Sequence, residues 1–178
     1  IGKLGRNAVN SNEVFIRDLP VSDADVVGEV GRGFYTLLDG INPERIVISA
    51  EACGIGFRAL ERAIAYAKER VVFDRPIGQN QAIAHPLADS YSELVAAELL
   101  WQKAAWTYDR GEPAGPLANM AKIRCADASF RACDRALQTL GGFGYAREYH
   151  VERYWREARL MRIAPISQEM ALNFVAEH

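Results

Sequence analysis

Residues 42–81, with the sequence NPERIVISAEACGIGFRALERAIAYAKERVVFDRPIGQNQ, contain the pattern that decides the fold. Apolar residues recur there at alternating steps of four and three, which places them on one stripe of an α-helix. The stripe consists of Ile46, Ala50, Cys53, Phe57, Leu60, Ile64, Ala67 and Val71. Asn42 can cap the first turn, and Pro43 suits the first helical position. The stretch therefore predicts a core helix over residues 43–70.

Further apolar patterns with helical spacing predict that a bundle follows. They indicate a second helix over residues 83–110, a third that ends at Leu140, and a final helix at the C-terminus. Because long helices joined by short loops pack side by side, we predict a mainly α fold, an antiparallel four-helix bundle. Gly54 and Gly56 interrupt the first helix and predict that another backbone packs closely there.

Residues 1–30 have a different sequence pattern, with short apolar runs between glycine, asparagine and proline. This pattern is typical of short strands and turns. Two or three strands seldom form an independent fold. We therefore expect this segment to belong to a sheet whose other strands lie upstream of the first residue.

Composition and charge exclude several classes of partner. Of the 178 residues, 49% are hydrophobic and 25% are charged, which is typical of a globular protein with one good core. The formal net charge of −2 offers no positive excess for nucleic acid, and no apolar run approaches the length of a membrane span. Cys53, Cys125 and Cys133 have no metal-ligand spacing, so we predict small core residues in a reducing compartment and no metal site.

The candidate functional residues each allow two interpretations. Glu44, in the first turn of the predicted helix, is either a carboxylate with a chemical role or a complement to the helix dipole. Arg70 and Phe73 at the far end either bracket an anionic or planar ligand or, for Arg70, bind the last carbonyls of the helix. Gly141 and Gly142 either allow a ligand to approach the backbone or only stop the third helix.

Four motifs together resemble the acyl-CoA dehydrogenase family. They are NPER at 42–45, RVVFDRPIGQNQ at 70–81, AK at 121–122 and QTLGGFGY at 138–145. The resemblance implies that residues 1–30 are the end of the family's middle β-domain with a linker, and that residues 31–178 are its C-terminal α-helical bundle domain. It also implies an FAD-dependent enzyme of fatty acid metabolism that removes two hydrogens from an acyl-CoA, with this part alone inactive.

The resemblance also assigns the base that removes the α-proton of the thioester. In many family members this base is a glutamate at the position that aligns with Pro165, and proline cannot accept a proton. Another branch, with enzymes similar to isovaleryl-CoA dehydrogenase, places the glutamate where this chain has Glu44. We therefore expect Glu44 to be catalytic. Asn42 and Arg45 would line the substrate entrance.

The cofactor and partners also follow from the resemblance. It implies FAD contacts by Arg70, Phe73, Gln81, Gln138, Gly141, Gly142, Ser167 and Glu169, with Ser167 in place of the usual threonine. Most of these would contact the FAD of a neighbouring subunit, so a homodimer or homotetramer is expected. An electron acceptor such as an electron-transfer flavoprotein, and a cytoplasmic or mitochondrial matrix location, are implied as well.

Two alternatives remain beside this expectation. A helical bundle that keeps the shape but acts only as an assembly module would be consistent with Pro165. A flavin oxidase or monooxygenase on the same scaffold is the nearer enzymatic alternative. Glu169 is the competing carboxylate if Glu44 is not the base.

Overall fold

Helices dominate the chain from Gly33 onward in a computed structural model that describes residues 1–177. The helices are α1 (Gly33–Glu69), α2 (Gln81–Asp109), α3 (Gly115–Leu140), α4 (Val151–Leu160) and α5 (Gln168–Glu177). After α1 comes a short antiparallel hairpin of β1 (Val71–Val72) and β2 (Arg75–Pro76). The predicted mainly α bundle is confirmed, and the second helix begins and ends within two residues of its predicted bounds.

The three long helices alternate in direction, and α2 runs antiparallel to α3. Arg131 pairs with Glu93 through Nε at 2.9 Å, and one turn later Arg135 pairs with Asp89 through Nη2 at 2.8 Å. The residue numbers rise on α3 while they fall on α2. The Sγ of Cys125 also donates to a carbonyl of α2 at 3.3 Å.

The helices α1 and α3 run parallel and approach closely at a glycine. A Cβ added to Gly56 would lie 3.0 Å from the Cα of Ser129 and 2.7 Å from a methyl group of Leu94. The predicted close approach is therefore confirmed at Gly56. At Gly54 the prediction is wrong, because a Cβ there would meet nothing within 4 Å and the residue is exposed.

Small residues form most of the core between these helices. The buried residues of α1 are Arg45, Ile46, Ser49, Ala52, Cys53, Gly56, Ala59, Leu60, Ala63 and Ala67. The predicted stripe contains only four of them, and its last member, Val71, is 56% exposed in β1. Cys53, Cys125 and Cys133 are buried and free, as predicted for core residues.

The start of α1 differs from the prediction. The helix begins at Gly33, ten residues before Pro43, and Pro43 lies inside it. The Oδ1 of Asn42 accepts a hydrogen bond from Nη1 of Arg45 at 2.7 Å and caps nothing. The segment FYTLLDGI at 34–41 extends the helix upstream, and the proline removes only one backbone hydrogen bond from it.

This correction changes the interpretation of Glu44. The dipole of a helix acts mainly within its first and last turns. Glu44 lies about three turns into α1 at 3.6 residues per turn. The alternative that Glu44 only complements the helix dipole is therefore wrong.

Residues 1–32 form no strand in the structure. Their one regular element is a 3-10 turn at Asp23–Asp25. Val14, Phe15 and Ile16 are 78%, 85% and 69% exposed. The strands expected here are absent because the described chain offers no partner strand for their backbone groups. The assignment of residues 1–30 to a β-domain stays a prediction.

Candidate functional site

The predicted site residues form two groups near opposite ends of the bundle. The first group, which we call the base end, contains Asn42, Glu44, Arg45, Ser167 and Glu169. The second group, the hairpin end, contains Arg70, Phe73, Gln81, Gln138, Gly141 and Gly142. Along α1, residues 44 and 70 are about 39 Å apart at 1.5 Å per residue. The two groups are therefore separate surfaces.

At the base end, α1 presents a carboxylate beside a buried cation. Glu44 is exposed, whereas Arg45 is only 6% exposed. Arg45 donates from Nη1 to Asn42, and its Nε has no hydrogen-bond partner among residues 1–177. Burial lowers the pKa of Arg45, and the nearby charge of Glu44 partly offsets this effect. Arg45 is therefore buried beneath the surface on which the substrate entrance is predicted.

Lys122 on α3 joins this group, although no role is predicted for it from the sequence. Its side chain is 1% exposed, and its Nζ has no hydrogen-bond partner in residues 1–177. Burial lowers the pKa of Lys122 to about 8; Glu169 opposes this effect and Arg45 reinforces it. The sequence does contain a signal for this buried lysine. Lys122 lies on a face of α3 that otherwise carries small residues such as Ala118 and Ala121.

Lys122→Met should stabilise the 178-residue chain by about 1–4 kcal/mol at pH 7, because it removes a buried charge without a direct partner. The gain should depend on pH. The unfolded lysine titrates near 10.5 and the folded one near 8, so the burial cost is fully present below pH 8. It falls between pH 8 and 10.5, where the unfolded state binds the proton more tightly.

Urea unfolding of both proteins at pH 7 and pH 9.5 checks this prediction. The gain from Lys122→Met should shrink at the higher pH. Equal destabilisation by the substitution at both pH values would show that the lysine is well paired.

Ser167 and Glu169 lie where the last loop enters α5. The Oγ of Ser167 accepts a hydrogen bond from the backbone N–H of Met170 at 3.3 Å and so caps the helix. The backbone N–H of Glu169, followed by the Ser167 hydroxyl, holds the pKa of the Glu169 carboxyl below its usual range. The Glu169 carboxyl is therefore more readily ionised than that of a free glutamate.

The hairpin end presents an aromatic ring and a cation to solvent. Phe73 and Asp74 have φ values of +54° and +61°, as in a type I′ turn between β1 and β2. A bulky residue at positive φ costs of order 1 kcal/mol, and such strain concentrates at functional sites. The Phe73 side chain is 92% exposed. The Arg70 guanidinium is exposed and has no hydrogen-bond or ion-pair partner among the described residues.

The end of α3 completes the hairpin end. Gly141 has φ +59° and ψ −133°, a conformation that suits glycine. A Cβ on Gly141 or Gly142 would meet nothing within 4 Å, so their backbone is open to a ligand. The rings of Tyr66 and Phe143 lie 6.3 Å apart and hold the ends of α1 and α3 together. Gln138 and the first residue of α2, Gln81, are exposed.

This arrangement can bind an anionic ligand with a planar group. A guanidinium donates two hydrogen bonds to a phosphate, and open glycine N–H groups can add more. An exposed aromatic ring offers a stacking face. The described surface of residues 1–177 therefore fits a nucleotide at the hairpin end and acid–base chemistry at the base end.

Comparisons with known proteins agree with this architecture. A family model described as "Acyl-CoA dehydrogenase, C-terminal domain" matches residues 31–178. The acyl-CoA dehydrogenase FadE12 of Mycobacterium tuberculosis is 47% identical over 167 residues, which cover 93% of this chain and 43% of that protein. The solved complex of glutaryl-coenzyme A dehydrogenase with glutaryl-CoA gives a TM-score of 0.94 at 30% identity, covering 99% of this chain and 45% of that one.

A third relative carries the cofactor. The structure of PigA with FAD and proline gives a TM-score of 0.87 at 25% identity and covers 90% of this chain and 42% of that chain. The matches define a helical C-terminal domain of a flavoprotein class. The chain belongs to the acyl-CoA dehydrogenase family. The chain spans less than half the length of these relatives. Residues 1–177 contain no helix that is both long and apolar enough to cross a bilayer.

Proposed function

We propose that this chain is the C-terminal part of an FAD-dependent acyl-CoA dehydrogenase in which Glu44 removes the α-proton of the thioester. One observation carries the proposal. Glu44 is an exposed carboxylate well inside α1, beside the buried cation Arg45, at the end of the bundle where α5 also begins. Its position matches the base of one family branch, while Pro165 occupies the other base position.

The chemistry requires a base and hydrogen-bond donors. The α-proton of a thioester is too weakly acidic to leave without a base held beside it, and the developing charge on the thioester oxygen needs donors. Glu44 takes the proton from the α-carbon as the α,β double bond forms. Bound FAD would supply the acceptor for the hydride that leaves the β-carbon. Glu169 is a weaker candidate for the base because its pKa is lowered, which makes its carboxylate a weaker proton acceptor.

The two groups of site residues would hold two different FAD molecules. The separation of about 39 Å along α1 exceeds the reach of one extended dinucleotide. Ser167 and Glu169 at the base end would contact the chain's own FAD. Arg70, Phe73, Gln81, Gln138, Gly141 and Gly142 would contact the adenosine and pyrophosphate of the FAD of a neighbouring subunit. This division supports a homodimer or homotetramer.

Residues 1–178 expressed alone should not retain FAD. The proposed contacts at the hairpin end are open surface, with Phe73 92% exposed, so little of the cofactor would be buried. Flavin absorbance per mole of purified chain measures how much FAD the chain retains. We expect far less than one FAD per chain, because ligand sites usually bury most of their ligand and this surface is open. Stoichiometric flavin would contradict the division of each FAD site between subunits and domains.

The complete protein offers the test of the proposed reaction. Its yellow flavin should bleach when acyl-CoA is added without oxygen, and an enoyl-CoA should form in equal amount. A helical assembly module would hold no flavin. An oxidase would bleach in the same way but would recolour rapidly in air and release hydrogen peroxide.

A further inference from the structure

One carboxylate on α3 holds both ends of the loop that joins α4 to α5. The loop at 163–167 is preceded by Arg162 and followed by Gln168. The Nε of Arg162 donates a hydrogen bond to Oε1 of Gln168 at 2.8 Å and lies 3.0 Å from Oδ1 of Asp127, with which it forms an ion pair. The Nε2 of Gln168 donates to the same Oδ1 at 3.0 Å. The three side chains form a closed ring, which we call the Asp127 clamp.

The clamp is better fixed than an ordinary surface ion pair. Gln168 is 7% exposed, and both polar atoms of its amide are used, since Nε2 also reaches the carbonyl of Ile123 at 3.4 Å. The side chain of Asp127 is 20% exposed and that of Arg162 is 38% exposed, so the better buried part of the clamp is the contact between Asp127 and Gln168. Ion pairs of this kind, partly buried and shared with a second hydrogen-bond donor, are stronger than exposed pairs.

The position of the loop decides where two proposed site residues lie. Ser167 and Glu169 flank Gln168 directly in the chain, so a shift of Gln168 moves both. Because α3 is the central helix against which α1, α2, α4 and α5 pack, it gives the loop a rigid reference. Both ends of the loop are therefore held at one atom of α3, Oδ1 of Asp127.

We propose that Asp127 is a positioning residue, which sets the loop at 163–167, and with it Ser167 and Glu169, against the acyl-CoA at which Glu44 acts. This proposal rests on the proposed function. Asp127 acts through Arg162 and Gln168 and touches neither substrate nor cofactor. A displacement of about 1 Å in such a support can cost up to about 10²-fold in rate.

The test uses Asp127→Asn in the complete FAD-loaded protein. Asparagine keeps the size of the side chain but removes the charge that holds Arg162. The matched control is Glu93→Gln, which removes the carboxylate that Arg131 of α3 contacts at 2.9 Å, away from the loop. Arg162→Lys is a second variant that keeps a positive charge at that position but has no Nε–H to contact both Asp127 and Gln168.

Two readouts are needed. Amide hydrogen exchange over residues 163–170 should become at least about tenfold faster in both clamp variants and stay unchanged in Glu93→Gln. The rate of flavin reduction at saturating acyl-CoA, per bound FAD, should fall about 10- to 100-fold in the clamp variants, with a much smaller change in acyl-CoA affinity.

The outcomes separate the clamp from the proposed function. Unchanged exchange in the loop would overturn the clamp whatever the activity. Faster exchange with an unchanged reduction rate per flavin would overturn the positioning role and leave a purely structural one. If acyl-CoA does not reduce the flavin of the unmodified protein, the proposed function fails and the positioning role fails with it, while the exchange data still show whether Asp127 holds the loop.

Discussion

Glu44→Gln will lower the rate of flavin reduction by acyl-CoA about 10²- to 10⁴-fold in the complete protein, the range that general-base catalysis supplies. Glutamine has the size of glutamate but cannot take a proton from carbon. Glu44 is exposed and makes no hydrogen bond or ion pair within residues 1–177, so the variant loses no such contact. FAD content and the melting temperature should therefore stay close to those of the unmodified protein. Anaerobic stopped-flow absorbance measures the reduction rate.

Two further variants make this test specific. Glu61→Gln changes an exposed carboxylate of the same helix, about 25 Å along α1 from Glu44, and should leave the reduction rate unchanged. Adding Pro165→Glu to Glu44→Gln places a carboxylate at the other family position and should restore part of the rate. A normal rate in Glu44→Gln alone would refute the assignment and make Glu169 the next candidate.

Gly56→Ala and Gly54→Ala should change stability in opposite directions. At Gly56 the new methyl group would lie 3.0 Å from a backbone atom of Ser129 and 2.7 Å from Leu94, so α1 and α3 must separate. Such overpacking costs about 1–3 kcal/mol. At Gly54 the methyl group enters open space, and the substitution should stabilise the chain by about 0.4–1 kcal/mol because alanine favours the helix.

The pair provides its own control, since the two glycines lie two residues apart on one helix. Urea unfolding of the 178-residue chain should give a lower midpoint for Gly56→Ala and a higher midpoint for Gly54→Ala. Equal effects of the two substitutions would mean that α1 and α3 do not meet at Gly56.

The sequence predicts the helices of this fold well and their contacts less well. The second helix was predicted within two residues because its pattern is bounded by clear turn residues. The predicted start of α1 is wrong because Asn42 and Pro43 resemble a helix start, whereas the helix begins at Gly33 and continues through both residues. The predicted buried face of α1 differs from the observed one because the prediction rests on large apolar residues, whereas closely packed helices bury Gly56 and alanines such as Ala59 and Ala63.

The site was predictable only in part, for a related reason. The proposed role of Glu44 came from a family resemblance, since no local pattern distinguishes a base from any other helical glutamate. Lys122 and Asp127 were missed because their significance depends on residues more than 35 positions away, such as Gln168 and Glu169. Only the packing of α5 on α3 brings these residues together.

The most direct test of Glu44 as the base measures proton transfer from the α-carbon separately from hydride transfer. An acyl-CoA that carries no hydrogen on its β-carbon cannot give up a hydride, but its α-proton can still exchange with solvent. Incubated in D₂O with the complete FAD-loaded protein, it should gain deuterium at the α-carbon, as mass spectrometry would detect. Exchange should fall at least about 10²-fold in Glu44→Gln and stay unchanged in Glu61→Gln. Equal exchange in Glu44→Gln and the unmodified protein would contradict the assignment of Glu44 as the base.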